Sequence, residues 1–199
     1  MAKQVVIIHG GTTFDNRKEY LAYLENQTID IERLKPGYDW KLTLSEHLGG
    51  NYIVLCPKMP NSTNANYKEW TIWFENILSV INKDIILIGH SLGGIFLAKY
   101  LSEHLIDNNI SKLILVAAPF TDTPEESLGS FRLKANLSKI QQQANNIVLI
   151  HSKDDPVVPF NDALEYKKQL KDAKLITFDK RQHFNQQEFT ELAELIKRT

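Results

Sequence analysis

Cysteine is almost missing from this sequence of 199 residues: Cys56 stands alone. That excludes an intrachain disulfide framework and a cysteine-based metal site. Long apolar runs are missing too. The longest buried-looking stretch, residues 113–118 (LILVAA), falls far short of the roughly 20 residues that a spanning helix needs. Neither sign of charge is in excess, with 23 Lys plus Arg against 24 Asp plus Glu. No broad field therefore favours a nucleic acid or an anionic membrane as partner. The nucleotide-cradling patterns G-x-x-x-x-G-K-[ST] and G-x-G-x-x-G do not occur, which leaves the glycine-rich turns without a phosphate-binding motif. Internal repeats, low-complexity tracts and linkers are absent. The opening MAKQVVIIHG runs straight into a strand pattern, without the apolar core and cleavage site of a secretory leader. A soluble, cytoplasmic protein is expected, and a lone thiol suits a reducing compartment.

What remains is an ordinary globular composition, 43% apolar and 24% charged, in a length that suits one domain over 1–199 with one core. Strands are predicted at 4–9 (QVVIIH), 51–56 (NYIVLC), 85–88, 112–117 (KLILVA), 146–151 (NIVLIH) and 173–178. Helices are predicted at 14–25, with Tyr20, Leu21 and Leu24 at helical spacing, and at 39–48, 67–82, 132–143, 160–170 and 186–197. A further helix follows residue 91. Residues 26–37 read as a loop broken by Lys35-Pro36-Gly37. The long 26–48 connection, with Trp40, is either a lid edge or a decorated crossover, and the plainer crossover is preferred. Cys56, at a strand end before Pro57, is expected to be a packed, inert thiol. Strict alternation of strand and helix has one physical solution: right-handed crossovers that give an α/β fold with helices on both faces of a six-stranded parallel sheet.

The chain is organised around Asp84 to Tyr100, DIILIGHSLGGIFLAKY. A strand is followed by Gly89-His90-Ser91-Leu92-Gly93 and then by a helix, which is the context that a G-x-S-x-G nucleophile elbow requires. Ser91 at the apex of such a turn must adopt a strained backbone, and β-carbons at 89 or 93 would strike the other limb of the turn. The Leu92 N–H, at a helix N-terminus, would face a developing oxyanion. The alternative is a glycine-rich turn with Ser91 as an ordinary N-cap. His9-Gly10-Gly11-Thr12 after the first strand offers a second donor, from Gly11 or else from Thr12.

A serine hydroxyl needs a base, and the base needs a carboxylate to hold its tautomer. Of six histidines, His9 reads as structural, His90 as pointing away from the elbow, His47 and His104 as helix-surface residues, and His151 as too near the acid loop. His183, on a loop after the last strand, is the base candidate. Ser152-Lys153-Asp154-Asp155-Pro156-Val157-Val158-Pro159 supplies the acid. Asp155 is favoured, Asp154 is the candidate for capping the turn, and Asp122 is the outside choice. Loops after parallel strands converge at one edge of the sheet.

With these residues the chain resembles the α/β-hydrolase superfamily. More narrowly it is similar to the small serine hydrolases of the retinoblastoma-binding-protein and YdeN type. Lys58-Met59-Pro60-Asn61, IGHSLGG at 88–94, the D-D-P-x-x-P run and His183-Phe184 carry the likeness. It implies Asp155 as acid and His183 as base, and it implies a cap inserted at 119–143, where only a small one has room. Gln182 stands where that group usually has glycine, and the L-x-C-x-E motif of its retinoblastoma partner is absent. The expected activity is hydrolysis of an ester, thioester or amide of a small-molecule substrate, without metal or organic cofactor. The rival is a non-catalytic binding protein on the same fold. Oligomeric state is not legible in the sequence.

Overall fold

The computed structural model describes residues 2–34, 37–124, 126–134 and 136–198, the side chains of residues 32 and 33 apart. Six parallel strands form one sheet: β1 (Lys3–Ile8), β2 (Tyr52–Leu55), β3 (Asp84–His90), β4 (Asn109–Val116), β5 (Ile147–Ser152) and β6 (Lys174–Phe178), in the order β2-β1-β3-β4-β5-β6. The central strands are runs of Val, Ile and Leu because both of their faces are covered. Val5, Ile7, Ile86, Ile88, Ile114 and Val116 pack on one face against Trp40, Leu44 and Leu48 of α3 (Trp40–Leu48) and against Leu192 and Ile196 of α8 (Thr190–Lys197). Their neighbours Val6, Ile8, Ile85, Leu87, Leu113 and Leu115 face the other way. They meet α4 (Tyr67–Val80), α5 (Leu92–Glu103), α6 (Ser138–Gln143) and α7 (Phe160–Gln169). Trp70, Phe74, Phe96 and Tyr100 form an edge-to-face aromatic cluster there.

From β1 the chain moves outward to β2, returns through α4 to β3 on the other flank of β1, and then continues away through β4, β5 and β6. The loops after β1 and β3 therefore part company at the C-terminal edge of the sheet. In open parallel sheets this reversal opens the crevice where ligands bind.

Several elements depart from the sequence expectation. Helix α1 (Arg17–Glu25) begins later than predicted, at an Asn16 cap, and buries none of its residues; Leu21 and Leu24 are 43% and 47% exposed. Its apolar spacing does not serve the core: Ala22 and Tyr23 line a cavity instead. A short helix, α2 (Ile31–Leu34), interrupts the expected loop; Lys35 and Pro36 of the predicted break lie outside the described residues. Trp40 is fully buried, which rules out a lid edge, and its Nε1–H donates to the Phe184 carbonyl at 2.8 Å. Only the second half of the predicted 132–143 helix forms, as α6. Arg132 is drawn instead into a bidentate pair with Asp15 and a further bond to Asp122. Helix α8 starts at Thr190, and Phe189 before it is buried. Cys56 is half-buried, and burial pushes its thiol up from the usual range.

Candidate active site

The turn from β3 into α5 is built by close backbone packing. Ser91 has φ 54° and ψ −126°, a left-handed region that residues with a β-carbon rarely occupy. Its hydroxyl makes no capping bond to the helix, unlike an ordinary N-cap serine. A β-carbon on Gly89 would lie 2.5 Å from the Gly93 carbonyl oxygen, the collision expected from the sequence. At Gly93 the obstacle is different: the β-carbon would meet the Ile8 carbonyl oxygen at 2.1 Å. The second glycine thus clears the end of β1 and not the other limb of its own turn. It lets the elbow seat directly on the strand that leads into His9-Gly10-Gly11.

That glycine loop is pinned from below by the segment after β2. His9 accepts the Met59 N–H at Nε2, 2.9 Å, which leaves its Nδ1–H to donate to the Gly10 carbonyl at 2.6 Å. Thr12 donates its N–H to the Ser62 carbonyl at 2.8 Å and accepts from the Ala65 N–H at 2.8 Å. Thr12 N–H is therefore already engaged. The Gly11 N–H and the Leu92 N–H have no backbone acceptor among the described residues. Gly11 must lack a side chain, since a β-carbon would stand 2.5 Å from the Ser62 oxygen. Gly10 lies against Ser91, with its β-carbon position 3.5 Å from Ser91 Oγ. His9 is structural, as its sequence position suggested.

On the other side of Ser91, the loops after β5 and β6 bring Asp155 and His183 together. Nδ1–H of His183 donates to Asp155 Oδ2 at 2.9 Å, with Oδ1 at 3.1 Å. The Asp155 carboxylate is fully buried, and its Oδ1 also accepts the N–H groups of Val157 and Val158 at 2.8 and 3.0 Å. Pro156 fits this tight turn because its missing N–H is not needed there. With Nδ1 carrying the proton, Nε2 of His183 is left as the acceptor. Asp154 does not cap the turn as expected, since Asp155 itself takes the Val157 and Val158 N–H groups; its Oδ1 accepts the Gln182 N–H at 3.0 Å and also the Ser152 hydroxyl, whose bond lowers the carboxyl pKa. Asp122 is tied to Arg132 and the Leu128 N–H, away from this pair.

Of two further buried histidines, one departs from its sequence reading. His90 does not point away. It is buried, its ring centroid is 5.0 Å from that of His183, and its Nε2–H donates to the His183 carbonyl at 2.8 Å. The residue next to Ser91 thus anchors the His183 loop. Burial above all holds its pKa well below the ordinary imidazole value. His151, fully buried at the end of β5, donates Nε2–H to the Val158 carbonyl at 2.9 Å and lies 3.8 Å from Asp155 Oδ2. Burial lowers its pKa as well. A third residue, Asp162 of α7, has no motif to betray it. It is buried and accepts the Phe120 N–H at 2.8 Å and the Thr121 hydroxyl at 3.2 Å, while Tyr166 donates to the Pro119 carbonyl at 2.8 Å.

A cavity of about 440 Å³ opens beside Ser91, with Gly11 and Leu92 in its wall. Phe14, Ala22 and Tyr23 close one side of it, and Pro119, Pro124, Glu126 and Leu128 close the other. Among the described residues no three His, Cys, Asp or Glu side chains group to hold a metal ion, and no helix is long and apolar enough to cross a membrane.

A strained serine turn over a wholly parallel sheet is the frame of the α/β-hydrolases, and solved members of that class superpose on this chain. The ydeN gene product of Bacillus subtilis does so over 98% of this chain and 97% of its own, with a TM-score of 0.78 at 21% identity. A serine hydrolase from a Cycloclasticus bacterium does so at 0.67, over 98% of this chain and 88% of its own, at 13% identity. Within that class the chain belongs to the serine hydrolase family, whose sequence model matches residues 37–197. The rat serine hydrolase RBBP9 is 33% identical over 163 residues, 80% of this chain and 84% of its own. The putative hydrolase YdeN of B. subtilis is 26% identical over 201 residues, 96% and 92% of the two chains.

Proposed function

We propose that this serine hydrolase cleaves an ester-type carbonyl, thioesters and amides included, through an acyl-enzyme on Ser91. The observation that carries the reading is the buried Asp155–His183 pair, tied through His90 to the turn that presents Ser91. Asp155 fixes the tautomer with Nδ1 protonated and offsets the charge of the imidazolium. His183 Nε2 takes the Ser91 proton as Oγ attacks, and returns it to the leaving group. The N–H groups of Leu92 and Gly11 receive the tetrahedral oxyanion, each worth about 3 kcal/mol in the transition state. Water then enters by the same route to release the acid. The rival, a binding protein on this fold, has no use for an imidazole oriented by a buried carboxylate.

A fluorophosphonate probe is expected to label the protein at Ser91, with labelling lost in Ser91→Ala. On short nitrophenyl esters, His183→Ala is expected to lose about 10³-fold or more in kcat. Labelling that persists in Ser91→Ala, or ester turnover untouched by both variants, would refute the assignment.

A further inference from the structure

The cavity beside Ser91 has a charge pattern that acyl transfer by itself does not require. Among the described residues that line it, the charged ones are Glu19 and Glu126, and none is Lys, Arg or His. Glu19 is fixed at the start of α1, where its carboxylate accepts from Asn16 Nδ2 at 2.7 Å and from the Asp15 N–H at 3.2 Å. Glu126 is held by its backbone: its N–H donates to Thr123 Oγ1 and its carbonyl accepts the Thr123 N–H, both at 3.0 Å. Its carboxyl has no hydrogen-bond partner among the described residues. The residue is exposed at the rim; such desolvation as its carboxyl has there raises its pKa, against the opposing field of His183. The wall opposite Glu126 presents aromatic rings. Phe14 packs on Tyr23 with centroids 5.1 Å apart and on Tyr20 at 5.4 Å. Arg132 and Lys134, which would suit an anion, line a separate depression with Asp122 and Gln169.

Aromatic faces attract a cation, and so does a carboxylate with free acceptor sites. An anionic acyl group would meet two carboxylates and no compensating cation. We infer that Glu126, with Glu19 across the cavity, reads a positive charge, so that the substrates are esters or amides bearing an ammonium group a few bonds from the scissile carbonyl. This rests on Ser91 being the nucleophile at the cavity floor. Glu126 acts on specificity and takes no part in the proton transfers.

Matched nitrophenyl esters whose acyl chains end in tert-butyl, trimethylammonium or carboxylate test the inference on the full chain, alongside thioacetates of choline and of its tert-butyl isostere. The responding set shows whether the charge sits on the acyl or the leaving group. The cationic ester is expected to exceed its neutral isostere about 10-fold in kcat/KM, the scale of a partly exposed ion pair, with the carboxylate ester slowest. In Glu126→Gln the cation-to-neutral ratio should fall towards one, and in Glu126→Lys it should invert. A ratio unchanged in Glu126→Gln, or a carboxylate ester cleaved fastest, overturns the inference. A second measurement needs no turnover: chemical-shift titration of Ser91→Ala with butyltrimethylammonium and with butyrate. Cation binding that weakens in the Ser91→Ala/Glu126→Gln double variant supports the inference, and equal or tighter butyrate binding sinks it. If no ester is cleaved and Ser91 takes no fluorophosphonate, the hydrolase mechanism fails, and the titration still decides the charge preference.

Discussion

His183 sits between two residues in the left-handed region, Gln182 with φ 46° and Phe184 with φ 55°. Glycine at 182, the residue that similar hydrolases carry there, would take that conformation without a steric penalty. Here the strain is held by the bond from the Gln182 N–H to Asp154. Gln182→Gly is expected to raise stability by about 0.5–1 kcal/mol, read as an upward shift of the urea midpoint at constant m-value; a downward shift would contradict the assigned strain. His90 works on the same loop from the opposite side. His90→Leu would leave the His183 carbonyl without its donor, at a cost of about 1–3 kcal/mol. Steady-state kinetics on a short ester should show kcat reduced with KM nearly unchanged, because the base shifts while the cavity does not. The three residues proposed for the proton transfers were legible in the sequence, since their chemistry dictates residue type, order and neighbours. His90 was not, because a histidine inside G-x-S-x-G carries no signal of which way its ring turns.

Among the elements, the β4–α6 connection and α1 form the cavity walls, and they are held in contrasting ways. Asp162 and Tyr166 of α7 grip the 119–121 turn through three hydrogen bonds, the one from Tyr166 buried and the two to Asp162 part-buried. Asp162→Ala is expected to cost about 2–3 kcal/mol by leaving the Phe120 N–H and the Thr121 hydroxyl unpaired. Denaturant unfolding measures it, and a loss under 0.5 kcal/mol would show that the turn stands without α7. On the outer side, Arg132 joins Asp15, just before α1, to Asp122 at the solvent surface. Exposed pairs of this kind contribute little to global stability. Arg132→Met should therefore leave the unfolding midpoint nearly in place while speeding protease cleavage between residues 122 and 132. The strands and the helices beneath the sheet could be read from apolar periodicity, because burial imposed it. Helix α1 and the 132–137 stretch misled the same method. The apolar residues of α1 answer to the cavity and not to the core, whereas Leu133 and Leu137 do reach the core but from a stretch that Arg132's ion pairs hold out of the helix.

For the molecule as a whole, the sign of the pH dependence follows from two buried rings. His90 and His151 are both held neutral in the fold, with pKa values below that of an exposed imidazole. The unfolded chain therefore takes up more protons below about pH 6.5. The contribution of these rings is complete above that value and is lost as pH falls below it. Urea titrations at pH 8 and 5.5 should show this, and His151→Gln should flatten the slope; equal stability at both values would contradict it. The lowered carboxyl pKa values of Asp15 and Asp122, each beside Arg132, act in the same direction at lower pH. Fold class was readable from alternation alone, and the crevice from strand order could be anticipated only in outline, because a sequence does not state on which flank of β1 the chain returns. Helix α1 buries nothing, yet it supplies Glu19, Ala22 and Tyr23 to the cavity. A segment whose side chains carry no weight in the core is free to be exchanged, lengthened or recharged over generations, so selectivity in this scaffold can diverge while the machinery beneath it stays untouched.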